Sequence, residues 1–178
     1  YIGEEEIIDG EGIQILEFLD KMMASPVLPK TACPSPNDFL ERIEEGLDTF
    51  IITISSELSG TYSSAILAKN LYLEEHPAQK IHVFDSKSAS VGETLIGMKI
   101  RALEAEGLGF DAIVQQVEKY IGQCRTFFIS ESLNNLIKNG RIPSWKGKIA
   151  MALKILPIMG ADDDGKIQAY AKARGAAR

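Results

Sequence analysis

The chain has 178 residues, of which 45% are hydrophobic and 25% charged, and a formal net charge of −6. It is long enough to bury a real core, and its acidic balance without a long basic run argues against nucleic acid and anionic membrane surfaces as partners. No apolar stretch reaches spanning length and no basic-then-apolar leader opens the chain, so no stable membrane insertion is expected. Cys33 and Cys124 are the only cysteines, too few and too far apart for a disulfide framework or a metal knuckle. A cytoplasmic protein is the expectation. Because the chain opens on Tyr1 rather than Met, it also reads as a piece of something longer.

In chain order, Ile13, Leu16, Leu19 and Met22 or Met23 mark a first amphipathic helix, ended by a proline-rich loop from Ala24 to Pro34. A second helix begins with Ser35 as N-cap, Pro36 at the first helical position and Asp38 at the third. Phe39, Leu40 and Ile43 line its buried face, and Gly46 is its expected stop. Phe50 to Ile54 is short, apolar and β-branched, and reads as a strand buried on both faces, as in a parallel sheet. Tyr62, Ala65, Ile66, Tyr72 and Leu73 then recur at helical spacing. A second strand, Ile81 to Phe84, leads into a helix through Leu95, Met98, Ala102 and Leu103 that stops at Gly107, and another helix carries Phe110, Ile113, Val114, Val117 and Ile121.

Past Gln123 the pattern changes. Thr126 to Ile129 reads as a strand, Leu133, Leu136 and Ile137 as a short helix closed by Gly140, and Lys148 to Leu153 as a further helix. Ile155 to Met159 and Lys166 to Tyr170 flank an Asp162-Asp163-Asp164-Gly165 turn, the pattern of an antiparallel hairpin. That turn lacks the later glutamate of a calcium loop and is expected to be simply polar. One strand and a hairpin are marginal alone and call for further covering elements.

The chemistry concentrates at two strand ends. Ser55, Ser56, Ser59, Thr61, Ser63 and Ser64 surround Gly60 after the first strand, and Asp85-Ser86-Lys87-Ser88-Ala89-Ser90 follows the second. Two strand-turn-helix units with right-handed crossovers place both turns on one sheet edge, where helix starts offer unpaired N–H groups and a positive dipole end to an anionic head group. The competing reading of the same hydroxyls is ordinary helix capping. His76 and His82 have no partner pattern for catalysis or metal. No dinucleotide fingerprint, phosphate loop, paired-histidine zinc motif or nucleophile elbow occurs. The inventory therefore offers ligands without a nucleophile-base pair, which favours a binding protein. The alternative is an enzyme or sensor cradling a phosphorylated metabolite at the same turns.

Five ordered stretches carry a resemblance: Thr31-Ala32-Cys33-Pro34-Ser35-Pro36, Ser55 to Tyr62 (SSELSGTY), Asp85 to Gly92 (DSKSASVG), Leu133 to Ile142 (LNNLIKNGRI) and Lys172-Ala173-Arg174-Gly175. Together they resemble the pattern of the DegV family of bacterial fatty-acid-binding proteins. Ala32 and Cys33 stand where that family often has a serine followed by a glutamine. The family pattern also starts earlier, with a strand ending in an Asp-Ser-Thr turn, and runs on beyond the Lys-Ala-Arg-Gly stretch. The resemblance implies an α/β fold in which a parallel-sheet domain flanked by helices, residues 1–123 without its first strand, precedes part of a smaller α+β domain with antiparallel strands, residues 124–178. It implies a long-chain fatty acid held between the domains as ligand, no cofactor, and a carrier rather than an enzyme, which presents the carboxylate to a fatty acid kinase for acyl-phosphate formation and phospholipid synthesis. Thr61 and Ser90 match the carboxylate ligands, with Ser59 and Ser88 as weaker candidates. Arg141 and Arg174 are candidates for contact with phosphate or the kinase, against the alternative of solvated charge. Tail burial at about 0.8 kcal/mol per methylene would dominate affinity, and head-group hydrogen bonds of roughly 1.5–3 kcal/mol each would fix orientation.

Overall fold

The structure is a computed structural model and describes residues 1–8, 10, 12–130, 132–142 and 155–174. Two short helices, α1 (Ile15–Ala24) and α2 (Pro36–Leu40), precede β1 (Thr49–Thr53), α3 (Thr61–Glu75), β2 (Ile81–Asp85), α4 (Val91–Ala105) and α5 (Phe110–Gln123). Then come β3 (Phe127–Ile129), α6 (Asn134–Lys138), β4 (Ile155–Ala161) and β5 (Ile167–Arg174). β1 and β2 form a parallel pair in register from Thr49 opposite Ile81 to Thr53 opposite Asp85. β3, β4 and β5 form an antiparallel sheet in that order, with an irregularity between Ile158 and Met159. The mixed α/β class and the hairpin are as the sequence predicts. The hairpin is not isolated, because β3 pairs with β4 and completes a three-stranded sheet. The helix expected over Lys148 to Leu153 lies outside the described residues.

Each sheet has its own apolar cluster. Beneath the parallel pair, Phe84 is fully buried among Ile96, Ile100 and Leu103 of α4 and Ile113, Val117 and Ile121 of α5, with Phe50 and Ile52 packed against them. The α5 positions are four residues apart, so they fall on one helical face. Phe50 stacks on Phe110 with ring centroids 4.8 Å apart, which ties the start of α5 to β1. Under the antiparallel sheet, Leu133, Ile142, Met159 and Ile167 cluster, joined by Leu58 from the turn after β1.

Four expectations need correction. β1 is half-buried except at Thr53, not covered on both faces, while its partner β2 is the more buried of the pair, with Ile81, Val83 and Phe84 enclosed. α1 buries none of its residues, and Leu16 is 79% exposed; its apolar stripe has no described element to pack on. α2 stops at Leu40 instead of running to Gly46, although Ser35 caps its start as predicted, and the structure adds a reciprocal capping box with Asp38. Beyond it two tight turns, Arg42 N–H to Phe39 O and Ile43 N–H to Leu40 O, still deliver Ile43 to the interior. In α4 the buried row is Ile96, Ile100 and Leu103, while Leu95, Met98 and Ala102 face outward. Both rows are apolar at helical spacing, so periodicity could not choose between them; packing on β1 and α5 does.

The rotated face of α4 gives a direct check. Ile100→Ala is expected to cost about 2–5 kcal/mol as a cavity-forming change, and Met98→Ala to stay within about 0.5 kcal/mol. Chemical denaturation of the two variants measures both, and equal losses would mean that the helix is wrongly oriented.

Candidate functional site at the strand ends

Parallel pairing brings the two hydroxyl-rich turns level with each other, since Thr53 and Asp85, the last residues of β1 and β2, are register partners. The turns are then stitched together by hydrogen bonds. Ser86 N–H donates to Thr53 O at 3.1 Å, and Ser55 N–H donates to Ser88 O at 2.8 Å. The Asp85 carboxylate accepts from Ser56 N–H (3.1 Å), from Ser56 Oγ (2.5 Å) and from Lys87 N–H (3.1 Å). Asp85 was legible only as the start of a turn. Its role as a clamp between turns depends on the strand pairing.

The hydroxyls fall into two groups. Ser55, Ser86 and Ser88 are buried, and each has a partner: Ser55 Oγ donates to Gly165 O (2.9 Å), Ser86 Oγ donates to Ser88 O (3.2 Å), and Ser88 Oγ lies 2.6 Å from Thr126 Oγ1. These build the wall, as buried polar groups must be paired. Ser59, Thr61 and Ser90 remain accessible. Ser59 Oγ and Thr61 Oγ1 are 2.8 Å apart at the start of α3, whose N-cap is Gly60 and carries no side-chain cap. Among the described residues the Tyr62 and Ser63 N–H groups have no partner. Ser59 Oγ also accepts the Thr61 N–H at 3.3 Å, so what this helix start leaves for a ligand is one hydroxyl hydrogen of the Ser59–Thr61 pair and the open Tyr62 and Ser63 N–H groups.

The second turn is strained. Lys87 has φ 51°, and Ser90, the N-cap of α4, has φ 59° and ψ −113°. Such backbone in non-glycine residues costs on the order of 1–3 kcal/mol and persists only where surrounding contacts impose it. Ser90 N–H donates to the Glu93 carboxylate at 2.9 Å. Burial raises the Glu93 carboxyl above its ordinary range, and the hydrogen bond from Ser90 N–H pulls it partly back.

The hairpin turn docks on the same edge. Besides Ser55 Oγ to Gly165 O, Lys87 Nζ donates to Asp163 O at 2.8 Å. Gly165 has φ +89°, and a Cβ there would lie 2.4 Å from Ser55 Oγ. Asp162 Oδ1 accepts from the N–H groups of Asp164 and Lys166 and so holds the turn itself. A cavity of about 310 Å³ lies between this turn, the second hydroxyl turn and the end of α5, bounded by Ser88, Arg125, Thr126 and Asp163 among others. It touches neither Ser59, Thr61 nor Ser90, and its polar walls are not those of an acyl tunnel. Arg141 donates to Leu58 O at 3.0 Å and to Asn139 O at 2.5 Å, pinning the exit of α6 to the first turn. Arg174 ends β5 opposite Ile155, and its side chain lies outside the described residues.

Paired polar turns at parallel strand ends, with an antiparallel hairpin laid across them, define a mixed α/β protein whose site lies at the sheet edge. The sequence matches the family described as "Uncharacterised protein, DegV family" over residues 1–178, and the chain belongs to that family. A DegV domain-containing protein of Streptococcus gordonii is 38% identical over 174 residues, covering 98% of this chain and 62% of that protein. A DegV family protein of Ruminococcus gnavus, solved with vaccenic acid, superposes with TM-score 0.89 at 40% identity, over 98% of this chain and 62% of that one. The Streptococcus pneumoniae Fatty Acid Kinase (Fak) B3 protein, solved loaded with linoleic acid, superposes with TM-score 0.90 at 36% identity and the same coverage. The chain therefore spans about 62% of the length of these relatives. No helix among the described residues is long and apolar enough to cross a membrane.

The docked hairpin predicts that Gly165→Ala, which combines a positive φ with a clash against Ser55, lowers stability by on the order of 2 kcal/mol. Thermal unfolding reads this out, and an unchanged midpoint would show that the hairpin turn does not seat on the strand ends.

Proposed function

We propose that this chain belongs to a long-chain fatty-acid carrier, a ligand-binding subunit without catalysis of its own. The carrier presents the acyl carboxylate to a fatty acid kinase, which transfers a phosphoryl group to a carboxylate oxygen. The observation that carries the reading is the division of hydroxyls at the strand ends: Thr61 and Ser90 stay accessible while Ser55, Ser86 and Ser88 are spent on structure. Thr61 and Ser90 bind the carboxylate, helped by Ser59 and by N–H groups at the start of α3. Ser88 acts mainly by supporting the wall. Fatty acids in the R. gnavus and S. pneumoniae relatives support the choice of ligand.

Charge favours this over a phosphorylated metabolite. The cation of the second turn, Lys87, is tied to Asp163 O, and the Asp85 carboxylate sits in the seam. A phosphate dianion would meet fixed negative charge with little compensation, whereas one carboxylate bound by neutral donors stays reactive toward phosphoryl transfer. Arg141, held by backbone carbonyls at the edge of the first turn, and Arg174 are the proposed contacts for the kinase or its phosphate. The proposal also divides the chain into residues 1–123 and 124–178, with the ligand between the two parts, and places the protein in the cytoplasm.

Solvent extraction of the purified full-length protein followed by mass spectrometry is expected to release fatty acid in near-stoichiometric amount. Thr61→Ala and Ser90→Ala should each weaken binding by roughly 10-fold or more, as loss of a hydrogen bond to a charged group requires. Each methylene added to the tail should tighten binding about fourfold until the tunnel is full. Affinity indifferent to tail length would point instead to the phosphorylated metabolite, and a full-length protein that neither carries nor takes up fatty acid would end the carrier reading.

A further inference from the structure

Ser90 is the least comfortable residue of the site, and its surroundings explain how it is kept there. A helix N-cap normally sits in extended backbone, but Ser90 has φ 59° and ψ −113°, a region that a serine leaves unless it is held. Two contacts restrain the segment. On one side the Ser88 side chain packs against the backbone of Gly92 so closely that a Cβ at position 92 would lie 2.1 Å from Ser88 Oγ. On the other, the Glu93 carboxylate accepts the Ser90 N–H at 2.9 Å. Glu93 is half-buried, and its carboxyl is disfavoured as an anion by that burial. Beside a site for another carboxylate, a desolvated negative charge works against affinity. What it contributes is geometry.

We propose that Glu93 is the positioning residue of the head-group site: its carboxylate holds the Ser90 N–H and, through it, the left-handed backbone that presents the Ser90 hydroxyl at the strand end. The inference rests on the fatty-acid reading for its consequence and on the Ser90–Glu93 geometry for its cause. An ordinary capping glutamate secures a helix end already in its preferred conformation. Glu93 secures a conformation that Ser90 would otherwise abandon, so its removal acts on the hydroxyl three bonds away from the nitrogen whose N–H it binds.

The test uses the full-length protein, oleate affinity measured by displacement of a fluorescent fatty acid, and amide exchange of Ser90 followed by nuclear magnetic resonance. Glu93→Ala is expected to speed exchange of the Ser90 amide at least about tenfold and to weaken oleate about fivefold, the scale of one lost hydrogen bond. Glu93→Gln, which keeps an oxygen acceptor at the same reach, should stay within about twofold of wild type in affinity and retain amide protection. Glu93→Asp, which keeps the charge but is one methylene shorter, should behave like Glu93→Ala and supplies the comparison if the alanine variant does not fold. In the Ser90→Ala background, Glu93→Ala should cost nothing further, since it acts through Ser90. Multiplying losses in that double variant, or a Ser90 amide that stays protected without the carboxylate, would overturn the role of Glu93 while leaving the carrier reading intact. Absence of oleate binding by the wild type would instead remove the carrier reading, and this inference with it.

Discussion

The register of β1 and β2 is the constraint on which the rest of the site depends. Parallel pairing that ends with Thr53 opposite Asp85 forces both chains to turn at the same level, where their backbone groups must find partners outside the ladder. They find them in each other, Ser86 with Thr53 and Ser55 with Ser88. Asp85 then closes the seam by taking two N–H groups and a hydroxyl from both sides. A shift of one residue would turn the Phe84 side chain out of its cluster toward the opposite face. Core packing and site geometry are thus set by one register.

Stitching the turns together consumes polar groups, and the pattern of consumption decides what is left for a ligand. Buried hydroxyls at Ser55, Ser86 and Ser88 hold the hairpin turn, the second turn and Thr126 in place. Those at Ser59, Thr61 and Ser90 stand clear of that wall. The docked hairpin joins the antiparallel sheet to the strand ends through Gly165 and Asp163, and Leu58 extends the first turn into the second apolar cluster. Movement of the antiparallel sheet would therefore be felt directly by the turns that carry the candidate ligands.

The same arrangement explains where strain is tolerated. Lys87 and Ser90, the two non-glycine residues with positive φ among those described, both lie in the second turn, between an apolar strand and a helix anchored by Ile96, Ile100 and Leu103. Rigid neighbours on both sides can hold a few kcal/mol of unfavourable backbone that an isolated loop would relax.

Much of this was legible from the residues. Short β-branched runs, the Ser35-Pro36-x-Asp38 helix start and the Gly165 hairpin specified local structure, because each rests on interactions within a few residues. Hydroxyl clusters after both strands specified where polar chemistry would gather. What the sequence could not contain were choices made by distant partners. The apolar rows of α4 were equivalent until β1 and α5 selected Ile96, Ile100 and Leu103, and α1 kept its stripe exposed because amphipathicity says nothing about what is available to cover it. Asp85 and Gly165 looked like turn and bend; their clamping and docking contacts appeared only with the pairing of two strands and the seating of a hairpin turn 110 residues after Ser55. Local propensity wrote the elements of this protein, and long-range packing decided which of its hydroxyls support the wall and which are left open to a ligand.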